Sequence, residues 1–532
     1  MKNYSRLVVG ALGAALLAGA CQDLEVTNPN QPDVQRILLD PSDVQALVAS
    51  AWRPYWDNNQ GNTSGTGIVI SAMADEFTAT SANFGVLDLS SEPRAIFNND
   101  PAYANRFVNQ GPWYDWYGGI SNANAGLRYV NAGNHVDIGG VDQTARTRAF
   151  AKFAQGLLHA TISLYYDRAY IVSEGTDLND PKVLAALQLK PYTEVRDSAL
   201  AMLREAATLS SQNTFTLPAT WINGLALTNT DLARLANTYA ARLMVYSARS
   251  SAERKAVNWA AVAQLVDAGI TADHAPVGEV NVLSSAYKQY SQFSTNTPAA
   301  QRQCNAGTTI HYRADYKLIG PADTTGQYQQ WLAKPVDQRT RFTLHTPDRR
   351  IEGAGTPPAD GPVNGSYFRY CTTDINFTPS RGTYHFSAYQ WFRLGGRYRD
   401  GALPLIFKTE MDLLKAEALL ETGNAAGAAA LINLSRQAQG KLPAVTAAGV
   451  PESRSCVPKT ATGACGSLRD ALMYEKGIEV AGSDPYVRWF DGRGWGLLPK
   501  GTLLHFPIPG REFAAAGIES YTLGGSLPGS AP

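Results

Sequence analysis

The sequence predicts a mostly α-helical protein in which amphipathic helix pairs form a scaffold around an irregular, loop-rich region with short strands. Apolar residues recur at three- and four-residue steps through much of the first half and again near the C-terminus. Alanine-rich helical stretches are interrupted by tight glycine turns. Between them, residues 275–400 are rich in Gly, Pro, Thr, Tyr and Trp and hold no sustained period.

The chain opens with Lys2 and Arg6, an apolar run from Leu7 to Ala18, the small residues Gly19 and Ala20, and then Cys21. That run is too short for the roughly 20 apolar residues of a membrane span, and its order is that of a secretory signal peptide, here residues 1–20. Leu17-Ala18-Gly19-Ala20-Cys21 resembles a bacterial lipobox, with Ala18 where leucine is usual. The expectation is therefore a lipid anchor at Cys21; the alternative is a structural cysteine in a non-lipidated secreted chain. Residues 21–40 are polar, carry Pro29 and Pro32, and read as a tether.

From 41 to 274 the pattern is helical. In "TEVRDSALAMLREAATL", Val195, Ala199, Met202, Leu203, Ala206 and Leu209 mark one buried face. In "DLARLANTYAARLMVYSAR", Asp231 is a candidate cap and Leu232, Leu235, Tyr239, Leu243 and Tyr246 form the stripe. The C-terminal region 401–532 holds a further pair, "FKTEMDLLKAEALLETGNAAGAAALINLSRQAQG", broken at Gly423-Asn424, with small residues at Ala416, Ala418, Ala425 and Ala428. It has the form of a tetratricopeptide-like hairpin, which cannot bury its face alone and must stack. Four hairpins are expected: 146–172 with 192–210, 230–250 with 257–269, 405–439, and one using a helix from 40–56 or 112–131.

Lys plus Arg equals Asp plus Glu at 46 each, so no net field attracts nucleic acid. With Cys21 given to lipid, Cys304, Cys371, Cys456 and Cys465 are an even number in an exported chain. Cys456 and Cys465 bracket a short loop and are expected to pair, leaving Cys304 with Cys371. A zinc site is the weaker reading, since the cysteines lack CxxC spacing and His311, His345 and His385 read as ordinary loop residues. No metal or cofactor is expected.

The densest catalytic candidate is "YEKGIEVAGSDPYVRWFDGRGWG", where Glu475 and Glu479 share a helical face ahead of Arg488, Trp489, Asp491, Arg493 and Trp495. A glycosidase needs two such carboxylates across the scissile bond. A structural ion-pair cluster with the arginines a turn later accounts better for them, and no nucleophile elbow, P-loop or dinucleotide fingerprint is present.

Taken in order, "CQDLEVTNPNQP", "WYDWYGGISNANAGL", "RAFAKFAQGLLHATISLYYDRAYI", "MDLLKAEALLETGN", "YEKGIEVAGSDPYVRWFDGRGWG" and "FPIPGREF" resemble the SusD/RagB family of outer-membrane nutrient-uptake lipoproteins over nearly the whole chain. Lys476 and Gly477 stand where that family often has arginines, and Asp484-Pro485 replaces part of its turn. The resemblance implies a SusD-like fold without catalytic activity. It implies an anchored protein at the cell outer membrane, facing outward, that captures a glycan, or a peptide or other oligomer, for a SusC-type TonB-dependent transporter. The ligand region would be 275–400 with the loop "DEFTATSANFGVLDLSSEPR". Candidate contacts are Asn83, Phe84, Arg94, Tyr287, Tyr290, Tyr328, Trp331 and Tyr367, because sugar rings stack on aromatic faces and hydroxyls need polar partners. Loop packing is the competing role for each. Trp113, Trp116, Tyr165 and Tyr166 sit in helical patterns and are expected in the core.

Overall fold

The computed structural model describes residues 40–60, 66–79, 85–279, 312–359, 361–371, 387–393, 400–517, 519–521 and 529. The expected signal peptide, Cys21 and nearly all of the tether lie outside these residues, as do Asn83, Phe84, Tyr287, Tyr290, Cys304, His311 and His385.

The helices that carry the architecture are α1 (Pro41–Ser50), α2 (Phe107–Asn131), α3 (Thr144–Tyr165), α4 (Tyr192–Ser211), α5 (Asn229–Tyr246), α6 (Trp259–Asp267), α7 (Lys408–Glu421), α8 (Ala425–Ala438), α9 (Leu468–Val480) and α10 (Val487–Trp495). They stack in chain order, α1 on α2, α2 on α3, and so on to α6 on α7, with α8 and α9 both against α7. The expected pairs α3/α4, α5/α6 and α7/α8 are all present. The fourth hairpin resolves into α1 against α2, so the two stretches offered as alternatives pair with each other.

Sequence chemistry explains how close these helices come. A Cβ on Gly126 of α2 would lie 2.1 Å from Val48 Cγ2 of α1, so only glycine permits that crossing. Gly423 turns α7 into α8 with φ +87°, a conformation glycine adopts without a Cβ clash. At α5 the cap is Thr228 rather than Asp231: Thr228 Oγ1 accepts the Asp231 N–H at 3.2 Å, and Asp231 Oδ2 accepts the Thr228 N–H at 3.1 Å. Asp231 is thus the third residue of a reciprocal capping box.

The strands are short antiparallel pairs: β1 (Phe77–Ala79), β2 (Val277–Glu279), β3 (Tyr312–Ala314), β4 (Phe368–Tyr370), β5 (Tyr389–Trp391) and β6 (Asp400–Ala402). Strand β1 pairs with β3, β2 with β6 and β4 with β5, setting Ala79 opposite Tyr312, Glu279 opposite Asp400 and Tyr370 opposite Tyr389. The chain therefore enters and leaves the irregular region 275–400 through paired strands, β2 and β6. Two-residue pairs, Asp137–Ile138 with Val141–Asp142 and Arg168–Ala169 with Lys190–Pro191, trim the helical side.

The main core draws on all three parts of the chain, from Val48 to Phe513. At its centre Tyr165 stacks on Phe506 with ring centroids 4.6 Å apart and meets Trp116 and Trp489 edge-on at 5.4 and 5.5 Å. Trp113, Trp116, Tyr165 and Tyr166 are buried, as their helical spacing indicated. The last carbonyls of α3 lack intrahelical partners, and two buried arginines take them. Arg249 Nη2 donates to Ser163 O and Tyr166 O, and Arg493 Nη1 donates to Leu164 O. Cys456 and Cys465 form a disulfide. Cys371 is also disulfide-bonded, and Cys304, its expected partner, lies outside the described residues.

Candidate ligand-binding site

A strip of aromatic side chains lies within the irregular region 275–400, against the helical body. It starts at the short helix Gln327–Ala333, whose first turn is held by Asp323 Oδ2 accepting the Tyr328 N–H at 3.1 Å. Trp331 meets Tyr316 edge-on at 5.3 Å, and Tyr316 stacks on Phe342 at 4.2 Å with the rings 14° apart. The Tyr316 hydroxyl donates to Phe342 O at 2.5 Å and accepts the Phe342 N–H at 2.9 Å. Tyr389 treats Leu344 in the same way, donating to its carbonyl at 2.8 Å and accepting from its N–H at 3.0 Å. Between them the Thr343 and Tyr370 hydroxyls are 3.0 Å apart, and Tyr370 meets Tyr389 edge-on at 5.2 Å. Residues 342–344 are thereby pinned at both ends by tyrosine hydroxyls. The result is a fixed wall in which Tyr316, Trp331 and Tyr389 are buried backing while Phe342, Thr343 and Tyr370 are half-buried.

The predicted contacts separate on this geometry. Tyr328 and Trp331 come together, 6.1 Å between centroids, but only 6 % and 2 % exposed, behind the wall rather than on its face. The Arg339 guanidinium covers Trp331 at 4.4 Å. Arg94 is buried in a different cluster, ion-paired to Asp75 at 2.8 Å and donating to Met73 O and Thr502 Oγ1. Tyr367 is buried too; its hydroxyl donates to Glu479 Oε2 at 3.0 Å and its ring lies 4.4 Å from the Arg393 guanidinium. Phe342 and Tyr370 were not singled out from the sequence. No local period marks them: 341–345 is not a strand, and in "YFRYC" half-buried Tyr370 shares a strand face with buried Phe368.

The catalytic candidate becomes a buried ion network. Arg350 Nη1 donates to Glu475 Oε2 at 2.6 Å and Glu479 Oε1 at 2.9 Å, and its Nη2 donates to Asp348 Oδ2 at 2.6 Å. Arg436 lies 3.3 Å from Glu475, and Arg393 lies 3.1 Å from Glu479. Burial pushes the Glu475 carboxyl above its ordinary value, and Arg350 and Arg436 offset only part of that rise. Burial alone would lower Arg350, but Asp348, Glu475 and Glu479 outweigh it and hold the guanidinium well above its ordinary value. The partners are not Arg488 and Arg493, as sequence proximity suggested. Arg493 is turned toward carbonyls at the end of α3, and Asp491 pairs with Lys476 at 2.8 Å and Arg254 at 2.9 Å. Both glutamates are buried and face arginines. Of the loop histidines, exposed His345 lies 3.3 Å from Glu352. No three His, Cys, Asp or Glu side chains gather as a metal site among the described residues.

Solved structures share the fold over most of the chain. A SusD-like protein from Bacteroides fragilis matches at 15% identity, covering 86% of this chain and 88% of its own, with a TM-score of 0.53. A SusD superfamily protein from Bacteroides thetaiotaomicron matches at 14% identity, 92% and 97% coverage and a TM-score of 0.53. The chain has the SusD-like fold. A SusD-like carbohydrate binding protein from Bacteroides fragilis is similar at 15% identity, 93% and 94% coverage and a TM-score of 0.51. No family model matches the sequence, and no curated protein matches it. On this SusD-like scaffold the aromatic wall sits beside the pairs β1/β3 and β4/β5, with Tyr370 closing β4 and Tyr316 two residues beyond β3. Among the described residues no helix is long and apolar enough to cross a membrane.

Proposed function

We propose that this protein is an outer-membrane lipoprotein, anchored through Cys21 and facing the cell exterior. It captures an oligosaccharide or polysaccharide and delivers it to a SusC-type TonB-dependent transporter. The observation that carries the reading is the half-buried aromatic wall of Phe342 and Tyr370 at the foot of the ligand region. A pyranose presents an apolar C–H face that stacks on such rings, and its hydroxyls find Thr343 and the Tyr370 hydroxyl alongside. A SusD-like neighbour described as carbohydrate binding supports the same ligand class. Asn83, Phe84, Tyr287 and Tyr290, which follow β1 and β2 in the sequence, remain proposed ligand contacts; Tyr328 and Trp331 back the wall.

Calorimetry against a panel of oligosaccharides tests this. Phe342→Ala and Tyr370→Ala should each weaken binding about tenfold, the order expected for losing one stacked ring. Wild-type affinity in both variants would remove the wall from the site, and binding of peptides but no glycan would move the protein to the peptide-capturing role. Release of reducing sugar from a polysaccharide, abolished in Glu475→Gln, would overturn the non-catalytic reading.

A further inference from the structure

The chain contains two Asn-Gly steps, Asn223-Gly224 and Asn364-Gly365. Such a step is open to attack by its own backbone, because a glycine nitrogen has no side chain beside it to keep it from the preceding amide carbon. The fold treats the two steps differently. Asn223 is tied down: its Nδ2 donates to Val277 O at 2.8 Å, and its carbonyl accepts the Val277 N–H at 2.8 Å. The Gly224 N–H donates to Ala219 O at 2.8 Å, which commits the nitrogen that would attack. A Cβ at Gly224 would lie 2.3 Å from Val277 Cγ2, so this step is also walled in.

Asn364 has the opposite setting. It is exposed, and its Nδ2, the group that would leave, has no hydrogen-bond partner among the described residues. Its Oδ1 accepts the Tyr370 N–H at 2.8 Å. When a nitrogen adds to the amide carbon, negative charge gathers on that oxygen, and a fixed backbone N–H aimed at it lowers the barrier. The Gly365 N–H makes no hydrogen bond of ordinary geometry among the described residues, so its nitrogen gives up none to react. A larger residue cannot shield the step, because a Cβ at 365 would lie 2.3 Å from Arg350 O.

We propose that Asn364 is a site of spontaneous covalent modification, converted to isoaspartate and aspartate while Asn223 stays intact. Hydroxide from solvent takes the proton of the Gly365 N–H, and the nitrogen's electron pair forms a bond to Asn364 Cγ. The Cγ–Nδ2 bond breaks, and Nδ2 leaves as ammonia with a proton from water, giving a cyclic succinimide. One water then opens that ring: cleavage at the Asn364 main-chain carbonyl yields isoaspartate, and cleavage at Cγ yields aspartate. Nothing is oxidised or reduced, and a neutral amide becomes a carboxylate. In isoaspartate the main chain runs through Cβ and Cγ, one methylene longer. That length enters between Val363 O, which accepts the Gly353 N–H at 2.9 Å, and the Tyr367 N–H, which donates to Arg350 O at 2.9 Å. The oxygen that Tyr370 N–H uses becomes part of the main chain, so the hydrogen bond at the edge of the aromatic wall cannot persist in its present form. The modification depends on Asn364 and its neighbours and not on which ligand the wall takes.

The test incubates the full chain in mildly alkaline buffer, folded or unfolded in guanidinium chloride, and follows both Asn-Gly peptides by mass spectrometry. Fragmentation that separates isoaspartate from aspartate reports the route, since direct hydrolysis of the amide gives aspartate only. Unfolded, the two asparagines should convert at similar rates. In the fold, Asn364 should give isoaspartate within about tenfold of its unfolded rate, while Asn223 should slow by at least roughly tenfold. Asn364→Gln, at an exposed position, should leave its peptide unmodified over the same period because the longer side chain closes its ring far more slowly. Equal folded-state rates at the two steps, a slowing of Asn364 by more than about tenfold on folding, or aspartate without isoaspartate at 364 would each overturn the proposal.

Discussion

Glu76 closes the short segment between the helix Thr66–Met73 and β1. Its carboxylate is fully buried, with Oε2 accepting the Ser71 hydroxyl at 2.8 Å and Oε1 accepting the Gly482 N–H at 3.2 Å. Burial pushes its pKa up to about 7 from an ordinary 4.5, against those two hydrogen bonds. The folded state therefore holds a proton that the unfolded chain releases, so Glu76 favours folding below about pH 4.5 and loses that contribution as pH rises through 7. Glu76→Gln, which mimics the neutral acid, should gain stability relative to wild type between pH 5 and 8, by about 3 kcal/mol at most from the pKa difference. Urea midpoints at both pH values check this, and a gap between the two proteins that does not change with pH would show that Glu76 is already ionised in the fold. At this scale the sequence was least informative. Tyr328, Trp331 and Tyr367 were chosen as aromatics in an irregular stretch, but composition does not reveal which side of a loop a ring faces. Tyr328 and Trp331 found each other within one turn of helix, whereas Tyr367 found Glu479 across a long stretch of sequence.

Between elements, the α9 carboxylates depend on arginines that arrive from elsewhere: Arg350 and Arg393 from the irregular region and Arg436 from α8. Removing one partner of a buried charge group leaves the others uncompensated, which costs about 3–5 kcal/mol. Arg350→Met strands Asp348, Glu475 and Glu479 together and should lower the urea midpoint severely, whereas Arg393→Met, at the network's partly exposed rim, should cost distinctly less. Equal losses would mean that the network is not centred on Arg350. The disulfide Cys456–Cys465 acts on a neighbouring part of this assembly. Its loop donates from Lys459 N–H to Pro321 O at 2.7 Å and accepts at Thr460 O from Gln329 Nε2 at 3.1 Å, beside the helix that bears Trp331. The double variant Cys456→Ala/Cys465→Ala should lose about 2–3 kcal/mol from the freed loop of the unfolded chain, read as a lower Tm than that of wild type without reductant. Helix pairs were legible because a 3.6-residue period needs only local sequence. The α1/α2 partnership was not, because a close approach at Gly126 specifies contact without naming the partner.

Over the whole molecule, the order of motifs along the chain carried the SusD-like fold even though each motif alone was weak. Fold depends on which helices stack in sequence, and each segment kept its own apolar face for a neighbour, from α1 through α7. What local patterns could not show is that "FPIPGREF" belongs to the centre: Phe506 packs on Tyr165 and Trp489, locking the C-terminal segment to α3 and α10. No helix among the described residues is long and apolar enough to cross a membrane, and the proposed lipoprotein role calls for a hold on the bilayer. Acyl chains on Cys21 would provide it, since each buried methylene contributes about 0.8 kcal/mol and durable attachment takes more than one chain. Cys21→Ala should accordingly move the protein from the membrane fraction to the soluble fraction. The purified variant should bind ligand with wild-type affinity, because Phe342 and Tyr370 are seated on Tyr316 and Tyr389 of the folded body. Retention of Cys21→Ala on membranes would place the anchor elsewhere, and soluble protein that had lost ligand binding would show that the N-terminal strip takes part in the site.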